Sequence, residues 1–178
     1  MDLGVKINRE VQVLSYAIAD VFQGFEKLKV VRDILGPRTD EIFANTRIVL
    51  YPRKGYLSVD DETGWILVSA PYLKTADERY LYLDLIHELV HVRQFYEGKE
   101  LFDERYVYVD RPTEIEAYAV AAKEAKRIGM NDKELLEYLK VDWVSDEEFS
   151  RLLKNIGVKV EPEQKGSKTR RRTSFFQK

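Results

Sequence analysis

The chain is 178 residues long, room for one hydrophobic core and short for two domains. It has no cysteine, which excludes disulfides, thiolate metal sites and cysteine nucleophiles together and fits a reducing, cytoplasmic setting. The net charge of −2 hides an uneven split: in residues 163–178 six lysines and arginines face only Glu163, a net of +5, which leaves −7 on residues 1–162 and argues against a body built to bind nucleic acid.

No stretch approaches about 18 uninterrupted apolar residues, so no membrane-spanning helix is expected. Met1 to Glu10 lack an apolar run with a small-residue cleavage site, so no signal peptide is expected either. Glu, Lys, Arg and Tyr are abundant while Asn, Gln and Cys are scarce, a balance common in hyperthermophile proteins.

In chain order, residues 6–35 read as one long amphipathic helix or two short ones. Val11, Leu14, Ile18, Val21, Phe22 and Phe25 form the apolar stripe, Gly24 marks a bend and Gly36-Pro37 the end. From Thr46 the period changes. Thr46 to Tyr51, Tyr56 to Val59 and Trp65 to Ser69 are short β-branched or aromatic runs, separated by the turn stretches 52–55 and 60–64. They predict a small antiparallel sheet of about three strands, ended by Pro71. Trp65 to Ser69, just before the next helix, is the candidate edge strand; if it is an edge, its free main-chain groups can pair with an extended peptide.

Glu78 to Phe95 is predicted helical, with Leu81, Leu85, Leu89 and Val92 in register and no Gly or Pro. Gly98 caps it, and residues 99–111 are irregular. Pro112 opens a helix from Thr113 to about Ile128, whose Ala117, Val120, Ala121 and Ala122 give a small, close-packing face. Two short helices opened by Asn131-Asp132 and Ser145 close the core. The expected fold is α+β: a small antiparallel or mixed sheet, a backing helix, an active-site helix and a glutamate helix, over residues 1–160.

The active-site helix carries His87-Glu88-Leu89-Val90-His91, and these are the only two histidines in the chain. Four apart on a helix, they point the same way and can share one metal ion, usually Zn2+. Glu88 can lean toward the ion's open side as general base, taking a proton from the attacking water and passing it to a leaving amine. Three protein ligands are usual, so the third must be a carboxylate. Glu114 and Glu116, on the helix after Pro112, point about 200° apart and cannot both serve. Glu114 shares the small-residue face with Ala117, Tyr118 and Ala121 and is preferred. Asp103 and Asp110 are outside choices.

His87-Glu88-Leu89-Val90-His91 followed by Glu114-Ile115-Glu116-Ala117 resembles the gluzincin metallopeptidases, whose third ligand is a Glu on a later helix of the form E-x-x-A. Length and layout resemble most the minigluzincins, small archaeal proteins with a pared-down catalytic domain. The resemblance implies zinc-dependent peptide-bond hydrolysis of a peptide or protein substrate, with His87, His91 and Glu114 as ligands and Glu88 as base and acid. Tyr118 stands where thermolysin-like members place an Asp, so the partner of the first histidine is unassigned. Tyr106, Tyr108, Tyr118 and Arg111 are the candidates for stabilising an oxyanion.

The tail, residues 161–178, has no amphipathic period. Three readings stand: a solvated end, an inhibitory segment in an acidic cleft with Phe175 or Phe176 in an apolar pocket, or a nucleic-acid or partner anchor. The minigluzincin resemblance implies a latent zymogen, and a tail lying in a neighbour's cleft would give a homodimer. The non-enzymatic alternative for the whole chain is a metal-stabilised regulatory or nucleic-acid-binding module.

Overall fold

Residues 6–35 do not form the helix their apolar spacing suggests. In the computed structural model, which describes residues 2–159, this stretch is broken into β1 (Lys6–Ile7), β2 (Ser15–Ala17), α1 (Ile18–Val21), β3 (Phe22–Gln23), a 3-10 turn at Phe25–Lys27 and α2 (Lys29–Leu35). Two features explain the departure. Gly24 sits at φ 88°, a left-handed conformation that a continuing helix cannot contain. The supposed stripe also divides, since Ile18, Val21, Phe22 and Phe25 are fully buried while Leu14 lies exposed. The backing element is thus α2, with α3 (Thr39–Asn45) behind it.

The three predicted strands are present as β4 (Arg47–Tyr51), β5 (Leu57–Val59) and β6 (Ile66–Ser69). Of the two arrangements expected, antiparallel or mixed, the chain takes the mixed one, with β2 as a fourth strand. The sheet is mixed, in the order β2-β4-β6-β5, with β4 and β6 parallel. β6 is therefore interior, and the Trp65 to Ser69 run is not an edge. The edge beside the helix that carries His87 and His91 is β5, which pairs antiparallel with β6 and packs on that helix. Hydrogen bonds from Ser69 N–H to the Tyr56 carbonyl and from Asp60 N–H to the Trp65 carbonyl set the register. Main-chain groups of Tyr56, Ser58 and Asp60 thus face β6, and those of Leu57 and Val59 face away from it.

After β6 the Ser69 hydroxyl caps α4 (Ala70–Thr75), with Pro71 in its first turn. The Asp77 carboxylate caps α5 (Glu78–Tyr96) by accepting from Arg79 N–H at 2.8 Å. α5 is a central helix, with residues 81 to 92 all buried. α6 (Pro112–Arg127) packs along it, and α7 (Asp132–Leu139) and α8 (Asp146–Asn155) follow, opened by capping boxes at Asn131 and Ser145. Among the described residues no helix is long and apolar enough to cross a membrane. The readings placed on residues 161–178, including inhibition and tail exchange, lie outside the described residues.

The β5–β6 turn is fastened to α5 at one glycine. Gly64 has φ 70°, and a Cβ there would run into the Phe95 ring. Gly64→Ala is expected to cost about 1–3 kcal/mol of stability through overpacking and backbone strain, read as a lower urea midpoint. An unchanged midpoint would contradict this packing.

Candidate metal centre

The centre is built where α5 and α6 cross. His87 and His91 are one turn apart on the α5 face turned to α6, with ring centroids 4.7 Å apart. Arg111 is the N-cap residue of α6 and Pro112 occupies its first turn, which brings Glu114 in on the face it shares with Ala117, Tyr118 and Ala121. All four of these side chains are buried, and the small Ala117 and Ala121 side chains let α6 pack closely on α5.

The donor atoms converge. His87 Nε2 and His91 Nε2 are 3.0 Å apart. Glu114 Oε2 lies 3.3 Å from the first and 3.4 Å from the second. This oxygen is buried yet makes no hydrogen bond of acceptable geometry. A triangle with such edges fits a tetrahedral ion, because imidazole and carboxylate donors about 2.0–2.1 Å from a common centre stand about 3.3–3.4 Å from one another. Among the described residues this is the one His, Asp or Glu group able to hold a metal ion. The residues present therefore fit a divalent cation.

Electrostatics agree. Burial alone would raise the Glu114 carboxyl, but the charge of His91 and the contacts with both rings outweigh it and hold the group well below the usual carboxylate range. Burial would lower His91, but the Glu114 and Glu88 carboxylates outweigh it and push the imidazole up to about 9. Glu114 and His91 thus stabilise one another by opposite charge in the absence of an ion. Glu88 is 6 % exposed, and its Oε2 is buried with no hydrogen-bond partner. Burial raises its pKa, reinforced by the Glu114 and Asp84 charges and opposed by the histidines.

The alternatives for a third ligand are held elsewhere. Glu116 pairs with Arg93 at 2.6 Å and accepts from Gln94 Nε2 at 2.8 Å. Asp103 is paired with Arg105, and Asp110 with Arg151 and Asn155. Of the oxyanion candidates, Tyr106 is half exposed. Tyr118 lays its ring against His87, with centroids 4.5 Å apart, and its hydroxyl meets that of Tyr108 at 2.7 Å. The hydroxyl of the half-buried Tyr108 is pushed well above its ordinary pKa, first by desolvation and then by the Glu114 charge. Arg111 lies over the Tyr108 ring, and its Nε is buried without a partner.

Two supporting groups escaped the sequence reading. Asp84, one turn before Glu88, accepts from Tyr72 of α4 at 2.7 Å and Tyr138 of α7 at 3.1 Å, which anchors α5 on two sides. Gln94 accepts a hydrogen bond of 2.7 Å at His91 Nδ1. The signal for both was available: 84, 87, 88, 91 and 94 form a polar row at helical spacing, and the other positions from 81 to 92 are apolar or aromatic.

Comparison of the chain with protein-family models, curated proteins and solved structures returns no match.

The raised His91 pKa has a measurable consequence. Without metal, the imidazolium–Glu114 contact stabilises the fold fully below the ordinary histidine pKa of 6.5, and this is lost as pH rises through about 9. An incoming cation must displace that proton. Apparent affinity for Zn2+, measured by chelator competition, is therefore expected to climb about tenfold per pH unit from neutrality toward the raised pKa and then level off. A flat profile would contradict the assignment.

Proposed function

We propose that this chain is a zinc-dependent peptidase of the gluzincin type, with His87, His91 and Glu114 as metal ligands and Glu88 as general base. One observation carries the reading: three buried donors converge on a point beside a fourth buried group, Glu88, whose carboxylate oxygen has no hydrogen-bond partner. Burying four such groups together is costly unless a ligand and a reaction use them.

Zn2+ held by this donor set supplies Lewis acidity that polarises a carbonyl and lowers the pKa of an attacking water. Glu88 follows a ligand histidine directly and accepts the proton of that water. Burial raises its pKa, which suits it to hold the proton and return it to the leaving amine. Tyr108 is the phenol best placed to donate to the oxygen on which negative charge develops: it is half-buried, it feels the charges of Glu114 and Glu88, and its hydroxyl is oriented by Tyr118. The outward main-chain groups of Leu57 and Val59 on β5 would receive an extended peptide as an added strand alongside α5.

Glu88→Gln is expected to retain one equivalent of zinc while hydrolysis of an unfolded protein substrate falls about a hundredfold to ten-thousandfold. Undiminished hydrolysis would assign the base elsewhere. Glu114→Ala is expected to abolish tight zinc binding and Glu116→Ala to preserve it. The opposite pattern by metal analysis would move the third ligand to Glu116.

A further inference from the structure

We propose that Gln94 is a positioning residue for the metal centre: one side chain that fixes which nitrogen of His91 carries its proton and fastens the glutamate-bearing helix to the histidine-bearing one. The inference rests on the metal-site reading above. Gln94 is fully buried, three residues after His91 on the same face of α5. Its amide has two chemically distinct ends, and the surroundings decide which end points where. Nε2 lies 3.0 Å from the Thr113 carbonyl and 2.8 Å from a Glu116 carboxylate oxygen. Both of those partners only accept, so the NH2 end must face them. The carbonyl end, Oε1, then faces His91 Nδ1 at 2.7 Å. Oε1 cannot donate, so Nδ1 must carry a proton. That leaves Nε2 of His91 as the nitrogen free to hold a cation, and it is the atom that faces His87 and Glu114.

The other end of the amide acts on the third ligand. Thr113 immediately precedes Glu114, and its hydroxyl donates to the Leu101 carbonyl at 3.1 Å. Gln94 thus ties the second ligand on α5 to the residue next to the third ligand on α6. Glu116, rejected as a ligand, keeps the amide in this orientation. It is itself held by Arg93 at 2.6 Å and Lys99 at 3.7 Å.

The test reads zinc affinity by chelator competition, with the urea midpoint of the zinc-free protein recorded beside it. Gln94→Met keeps the side-chain volume and removes every hydrogen bond, and is expected to weaken zinc binding about 10–100-fold, the usual cost of losing a group that orients a ligand. Gln94→Glu keeps an acceptor toward His91 but sets a carboxylate oxygen against the Thr113 carbonyl, so it is expected to weaken zinc binding as well. In zinc-loaded wild-type protein, the His91 Nδ1–H should appear in proton–nitrogen NMR as a slowly exchanging signal, and this holds even if Gln94→Met fails to fold. The proposal is overturned if Gln94→Met binds zinc as the wild type does, or if zinc sits on Nδ1 of His91. Wild-type protein that takes up no zinc would instead overturn the metal-site reading beneath it.

Discussion

The structure depends on one crossing, that of α5 with α6, and on the charge balance buried inside it. Two imidazoles and a carboxylate are withdrawn from water at a single point. Unpaired, such groups would be expelled or neutralised. Here they compensate one another: Glu114 is held ionised by the histidines, and His91 is held protonated by the carboxylates. A divalent cation would replace that proton and bring all three donors to one centre. The rest of the fold keeps the crossing rigid. Small residues at 117 and 121 let the helices approach, Gln94 bridges them, and Asp84 is gripped by tyrosines from α4 and α7.

Aromatic rings close the site from the α6 side. Tyr118 packs edge-on against His87, Tyr108 bonds to Tyr118, and Trp143, on the α7–α8 link, packs against both Tyr108 and Tyr56. Rings at such centroid distances contribute about 0.5–1.5 kcal/mol each beyond their buried area. They lower the local polarity around the donors, which strengthens every electrostatic interaction there. The first histidine is thus packed against the Tyr118 ring, while the second is oriented by a hydrogen bond to Gln94.

The candidate site was largely legible in the sequence because its information is local. Histidines four apart on an uninterrupted apolar helix must share a face, and the choice of Glu114 over Glu116 follows from helical geometry and the alanines beside it. The strands at 46–51, 56–59 and 65–69 were legible for the same reason, to within a residue. What failed was non-local. The apolar spacing of residues 11–25 fits a helix, but the left-handed Gly24 and the burial of Phe22 and Phe25 on the core favour short strands and turns. Which strand forms the edge is set by long-range pairing. The parallel match of β4 with β6, leaving β5 outside, has no local signature. The role of Gln94 needed the position of Thr113 on another element.

The most direct measurement is anomalous diffraction at the zinc absorption edge from crystals of the zinc-supplied protein. The account predicts a single strong peak per chain, coordinated by Nε2 of His87, Nε2 of His91 and a carboxylate oxygen of Glu114. A map without a peak there, or with Glu114 turned away from the ion, would contradict it.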